Sequence, residues 1–220
     1  MTDVVGMDDI EAFNTSLDDI GGDECTLIFV GIDSSGSMDS FTSDMEKELL
    51  SFKDAMLGTK EAQFNQILLS RANFNDYIDI KGFKPVSEFD TDYYAKGNTA
   101  LYDVIIEGAE TLLNYRKILT DNGVRVKSIF SIFTDGEDTC SNTTIHKTID
   151  VIEDLNKKEI ASAIICFGSS AEGIGKRLKF KAILNTNSSA SELRRAFQTL
   201  SKSAISASRA AGNTAETFTF

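Results

Sequence analysis

The sequence predicts a three-layer, doubly wound α/β domain, with a mostly parallel sheet, one antiparallel edge strand and helices on both faces. Apolar runs rich in β-branched and aromatic residues alternate with amphipathic stretches, the pattern of strands joined by crossover helices. The longest runs, TLIFVGI at 26–32 and IASAIICF at 160–167, are far short of the ~20 residues that a membrane-spanning helix needs, so they read as buried strands. Two further strand-like runs, 63–70 and 77–80, are joined by a polar link too short for a parallel crossover, and these form the antiparallel edge.

In order along the chain, Thr26–Ile32 is a strand that stops at Asp33 and runs into DSSGSMDS. Phe41, Met45, Leu49, Phe52 and Met56 then recur at helical spacing. Strands follow at Gln63–Ser70 and Tyr77–Ile80. The segment 81–98 holds the only proline, Pro85, and leads through Gly97 to Thr99. Leu101, Val104, Ile105, Leu112 and Leu113 mark the next helix. Val126–Phe133 is a buried strand ending in TDGED, Ile145, Ile149, Ile152 and Leu155 form a helix, and Ile160–Phe167 is a strand. The remainder, through about Arg209, reads as helical, with Leu193, Phe197 and Leu200 on its apolar side, and GNTAETFTF reads as a frayed end. With 220 residues, 41% of them hydrophobic, one domain is expected: an acidic segment at 1–23, the domain at 24–209 and a tail at 210–220.

The net charge of −12 is unevenly spread: residues 1–46 hold twelve acidic residues and no Lys or Arg. Such a front disfavours nucleic acid, because it repels phosphate. Residues 176–209 are basic, with eight Lys or Arg against Glu192, so the two ends are complementary; two solvated faces and docking of one end on the other are the alternatives. Cys25, Cys140 and Cys166 are odd in number and widely spaced, which fits a reducing compartment. The first residues show no secretory pattern, and the expected location is cytoplasmic.

In open α/β sheets, ligands bind beyond the carboxyl ends of the strands. Three polar segments converge there: Asp33, Ser35 and Ser37 after the first strand, Thr99 before the second helix, and Asp135 after the strand that follows it. Hydroxyls with few carboxylates suit Mg²⁺, a hard cation that keeps several waters; Mn²⁺ and Ca²⁺ are the alternatives. The i, i+2, i+4 spacing lets one loop supply three oxygens, and Gly36 lets that loop wrap closely.

DSSGSM at 33–38, the threonine of GNTALYD at 97–103 and the aspartate of TDGED at 134–138 together resemble the metal-ion-dependent adhesion site of von Willebrand factor A (VWA) domains. The resemblance spans about residues 24–200 and implies the Rossmann-like VWA fold. By it, Ser35, Ser37 and Thr99 contact the metal directly or nearly so, while Asp33 and Asp135 bind directly or through water. In the family, a partner's Asp or Glu fills the open position. The implied function is a non-enzymatic, intracellular adaptor that binds a partner carboxylate, within the group associated with tellurium resistance and stress response.

Two other classes compete with that expectation. A Mg²⁺-dependent phosphoryl-transfer enzyme needs a second acid where Ser35 stands, and GSSAEGIGKR at 168–177 lacks P-loop spacing. Nucleic-acid binding by 176–209 lacks interleaved aromatics beyond Phe180 and Phe197. Self-association, with acidic residues of 1–24 inserting into the metal site, is a further alternative. Glu137 and Asp138 are expected to favour the helix that follows them, Cys140 to be unreactive, and His146 to be a surface residue.

Overall fold

A computed structural model describes residues 13–168, 171, 173–187 and 189–210. Strands β1 (Glu24–Asp33), β2 (Ile67–Phe74), β3 (Ile78–Ile80), β4 (Lys84–Pro85), β5 (Arg125–Thr134), β6 (Ala161–Phe167) and β7 (Ala182–Thr186) form one seven-stranded sheet. Its order is β3-β2-β1-β5-β6-β7, with β4 also on β2. The pairs β1–β2, β1–β5, β5–β6 and β6–β7 are parallel, whereas β3 and β4 run antiparallel to β2. The predicted fold class is the observed one, with the antiparallel edge split into two short strands.

Helices α1 (Thr42–Leu57) and α6 (Ala190–Arg209) cover one face of the sheet, while α3 (Leu101–Asp121) and α4 (Ile145–Lys157) cover the other. Two short helices, α2 (Lys60–Gln63) and α5 (Ile174–Arg177), lie in connections. On the first face, Phe133 stacks on Phe197 with ring centroids 4.5 Å apart; on the second, Phe29 stacks on Phe130 at 4.9 Å. α3 approaches β1 closely because residue 108 is glycine: a Cβ there would lie 2.2 Å from the Phe29 ring. Full burial of β1 from Cys25 to Asp33 explains its unbroken apolar run, since a central parallel strand has no wet face.

The chain moves from β1 to β2 in one direction and, after α3, from β5 to β6 in the other. The crevice beyond the carboxyl ends of β1 and β5 is therefore the switch point of the sheet. Asp33 and Asp135 stand there.

Two expectations need correction. Residues 168–209 are not wholly helical, because Ala182–Thr186 is an edge strand. Its apolar run is only three residues long, and pairing with β6 decides its state. The strand expected at 63–70 begins at Ile67 and continues to Phe74. Before it, Thr59 caps α2 by accepting from the Ala62 N–H (3.2 Å), and Asn65 takes a positive φ of 52°, so the chain turns where extension was expected.

Residues 13–20, from the acidic front segment, pack on the domain: Phe83 donates its N–H to Asn14 Oδ1 (2.8 Å), Tyr115 donates its hydroxyl to the Thr15 carbonyl (2.7 Å), and Ile20 is buried. Among the described residues, the basic side chains of 176–209 pair with Glu48, Glu61, Glu137, Glu153 and Glu192, and none pairs with an acid of the front segment. Of the acidic residues of 1–24 that are the alternative for insertion into the metal site, those in 1–12 lie outside the described residues, as does the tail from 211.

Candidate metal centre

Four of the five expected ligands are joined in a continuous hydrogen-bonded cluster. The Ser35 N–H donates to Asp33 Oδ1 (2.9 Å), the Ser35 and Ser37 hydroxyls lie 3.0 Å apart, and the Ser37 hydroxyl donates to Asp135 Oδ1 (2.8 Å). The i, i+2, i+4 spacing achieves this because the chain leaves β1 in an extended conformation at Ser35 and then tightens into a 3₁₀ turn at Gly36–Phe41, which Met38 anchors in the core. Thr99 is brought to the same end by its backbone. Its N–H donates to Thr139 Oγ1 (2.8 Å) and its carbonyl accepts from the Thr139 N–H (2.9 Å), while its hydroxyl enters none of the bonds that join the other four.

A strap running from Phe89 to Ala100 holds these loops together. Lys96 N–H donates to the Ser34 carbonyl (2.8 Å) and Gly36 N–H to the Gly97 carbonyl (2.9 Å). Gly97 adopts a φ of +78°, and a Cβ there would lie 1.8 Å from Asp76 Oδ2, so glycine is required on both counts. Asp76 instead accepts from the Asn98 N–H and side-chain amide (3.1 and 2.6 Å), fixing the approach to Thr99.

Several contributing residues were not anticipated from the sequence. Thr134, the last residue of β5, donates its hydroxyl to Asp33 Oδ2 (2.7 Å) across to the neighbouring strand, 101 residues away in sequence. Tyr93 donates its hydroxyl to the Asp33 backbone carbonyl (2.6 Å). Arg71, only 3% exposed, donates to the carbonyls of Asp90 and Asp92 (2.7 Å each) and so holds the strap on either side of Tyr93. Neither Tyr93 nor Arg71 lies in a motif or a periodic stretch that marks it.

Asp138 caps a different helix from the one expected. It accepts from the Tyr102 N–H at the start of α3 (3.2 Å) and from the Ser141 hydroxyl, while Asp103 in α3 accepts from the N–H groups of Asn142 and Thr143 (2.8 and 2.9 Å). Glu137 pairs with Arg177 at 2.7 Å. Burial pushes the half-buried Cys140 thiol up, which keeps it protonated, and His146 is exposed on α4.

The electrostatics of the cluster point to a missing positive charge. Burial pushes the Asp33 carboxyl up to about 6, opposed by hydrogen bonds from Ser35 and Thr134 and reinforced by the negative charge of Asp135. Asp135 is itself raised by burial, against the Ser37 hydrogen bond. Among the described residues, neither carboxylate has a Lys, Arg or His ion-pair partner. No three His, Cys, Asp or Glu side chains cluster among those residues, so the donors available here are hydroxyls and just two carboxylates. This all-oxygen set fits a hard divalent cation that retains water, and lacks the thiolate and imidazole donors of structural zinc sites.

No family model and no curated protein sequence matches this chain. Solved structures do. The vWF domain of the type V pili tip protein Mfa5 from Porphyromonas gingivalis superposes with a TM-score of 0.62 at 8% identity, covering 87% of this chain and 98% of that one. The fold is that of a VWA domain. Proximal thread matrix protein 1 from the mussel byssus, in a structure with a zinc-occupied MIDAS motif, gives a TM-score of 0.58 at 16% identity over 83% of this chain and 46% of that one. The pilus adhesin SpaC from Lactobacillus rhamnosus GG gives 0.64 at 11% identity over 83% and 30%. The chain thus spans less than half the length of these last two. At such identities the likeness establishes the VWA fold, and it is the local chemistry at Asp33 and Asp135 that bears on function.

Proposed function

We propose that this chain is a metal-dependent protein-interaction module, in which Asp33, Ser35, Ser37, Thr99 and Asp135 hold Mg²⁺ and leave a position for an Asp or Glu of a partner protein. The observation that carries it is the pair of desolvated carboxylates, Asp33 and Asp135, linked by serine hydroxyls and lacking a positive partner among the described residues. A divalent cation bound there supplies the missing charge and a Lewis-acidic position for a carboxylate.

The chain's own residues do the rest. Thr134 and the Ser35 N–H orient the Asp33 carboxylate, Tyr93 fixes the strand end beneath it, and the strap carries Thr99 into place. The zinc-occupied MIDAS of a structural neighbour supports a divalent ion at this end of the fold, and the adhesin among the neighbours supports an interaction role. We assign it no reaction, since Ser35 stands where a phosphatase of this layout needs its second acid. The absence of a secretory pattern in the first residues and the sequence resemblance support a setting as an adaptor inside the cell, and fractionation of native cells tests it.

Calorimetry with Mg²⁺ and Mn²⁺, combined with capture of partners from native extract with and without chelator, tests the module. Metal binding and capture are both expected to vanish in Asp33→Ala. Capture indifferent to chelator and to Asp33→Ala overturns the proposal, as does steady phosphoester turnover that requires Asp33.

A further inference from the structure

Two large aromatic side chains stand exposed at the same end of the sheet as the metal centre. Tyr77 is 80% exposed and Tyr94 is 59% exposed. The backbone that carries each is held in place. Tyr77 closes the β2–β3 turn, where its N–H donates to Asn75 Oδ1 and its carbonyl accepts from the Asn75 N–H (3.0 Å each). It follows Asp76, which binds Asn98 next to Thr99. Tyr94 follows Tyr93, which holds the Asp33 carbonyl, and the Lys96 ammonium lies 5.5 Å from the centre of its ring. One tyrosine is thus tied to the Thr99 side of the centre and the other to the Asp33 side. A tyrosine offers contact area at little entropic cost because it has only two side-chain torsions, as anchors of protein interfaces do.

The charge around these rings is one-sided. The loops leaving β1, β2 and β5, together with the strap, carry Asp39, Asp76, Asp90, Asp92, Glu137 and Asp138 against Lys96, apart from the two carboxylates of the centre; the buried Arg71 of β2 offsets part of the charge of Asp90 and Asp92. Arg177, reaching in from α5, is paired with Glu137. An isolated carboxylate that approaches this end meets repulsion from the rim within the ~8 Å over which charges act at physiological salt. Lys or Arg beside that carboxylate reverses the sign of the encounter, and such cations also seat over tyrosine rings, as Lys96 does on Tyr94.

We propose that this face recognises a protein segment whose metal-directed Asp or Glu is flanked by Lys or Arg, with Tyr77 and Tyr94 as its aromatic anchors. The proposal rests on the metal-module function above and adds to it the chemical class of the partner.

The test uses the full chain saturated with Mg²⁺ and three labelled synthetic peptides of equal length, followed by fluorescence anisotropy. In the first, a single Glu is flanked by Arg; in the second, the Glu is flanked by Ser and Asp; in the third, Gln replaces the Glu of the first. The Arg-flanked Glu peptide is expected to bind at least tenfold tighter than either of the others and to be released by chelator and by salt. Tyr77→Ala and Tyr94→Ala are each expected to weaken it three- to tenfold, with Mg²⁺ affinity by calorimetry unchanged. Equal affinity for the first two peptides overturns the proposal, as does binding that survives both Gln and chelator. So does indifference to both tyrosine substitutions, or Mg²⁺-dependent dimerisation in sedimentation, which assigns the face to a second copy. Failure of Mg²⁺ itself to bind removes the metal module; normal Mg²⁺ binding without peptide discrimination removes the basic-segment proposal alone.

Discussion

The two ends of the sheet both bury charge, and they treat it differently. At the amino ends of the strands, the Lys127 side chain is 4% exposed and lies 3.8 Å from Glu24, and its ammonium also donates to the carbonyls of Ser208 and Ala210 at the end of α6. A cation there meets a carboxylate and the negative end of a helix, and the arrangement is complete. At the carboxyl ends, Asp33 is fully buried beside Asp135 and, among the described residues, is met by hydroxyls and an N–H. Hydrogen bonds orient a carboxylate there without balancing its charge. The first end is closed by the chain itself; the second is short of a positive charge that a ligand can bring.

That contrast is sharpest at Asp33. Its carboxyl is raised from 3.8 to about 6, so the folded chain binds this proton more tightly than the unfolded chain does. Its contribution to stability is full below about pH 4 and is lost as the pH rises through 6, a cost of roughly 3 kcal/mol at neutral pH in metal-free protein. Asp33→Asn is therefore expected to stabilise the metal-free protein at pH 7, to abolish that pH dependence, and to weaken Mg²⁺ binding by more than a hundredfold. Urea denaturation at pH 4 and pH 7, with Mg²⁺ or chelator, measures all three. A variant that is less stable at pH 7 yet still stabilised by Mg²⁺ contradicts the account of this end.

The closed end makes the opposite prediction. Lys127→Ala is expected to cost roughly 2–3 kcal/mol, through loss of the charged hydrogen bonds to α6 and the pair with Glu24, and to leave Mg²⁺ affinity unchanged. Altered metal affinity in this variant would show that the two ends are coupled. Tyr93→Phe removes one hydroxyl bond beneath Asp33, and about 1 kcal/mol of stability with a several-fold loss of Mg²⁺ affinity is expected. Arg71→Met combined with Tyr93→Phe should lose less affinity than the sum of the single changes, since Arg71 acts by holding the strap on which Tyr93 sits. The smallest effect belongs to the exposed Lys158–Asp154 pair: Lys158→Ala should change stability by under about 0.5 kcal/mol in a thermal melt and leave Mg²⁺ binding alone.

Much of this molecule is legible along the chain. β1 and β6 announce themselves as unbroken apolar runs because both faces are covered, and the DSSGSM, GNTALYD and TDGED segments can be read because each sits where a strand ends or a helix begins. The strand β7 escaped, since an edge strand paired on one side leaves little pattern of its own. Thr134, Tyr93 and Arg71 escaped for a different reason. Their partners lie 101, 60 and about 20 residues away, and no local spacing encodes a hydrogen bond to a backbone carbonyl or to a carboxylate on the neighbouring strand.

The sequence by itself determined the fold class, the positions of most strands and helices, and the oxygen-bearing residues gathered at one end of the sheet. These follow from hydrophobic periodicity and from the type of side chain, both of which are local properties. Only the tertiary structure decided that Asp33 is desolvated beside Asp135 with no ion-pair partner among the described residues, that a strap pinned by Arg71 and Tyr93 is tied to the Asp33 backbone, and that Lys127 at the other end is answered by Glu24 and the end of α6. Burial and charge balance depend on what surrounds a residue in three dimensions, and a group's charge state is fixed by those surroundings rather than by its neighbours along the chain.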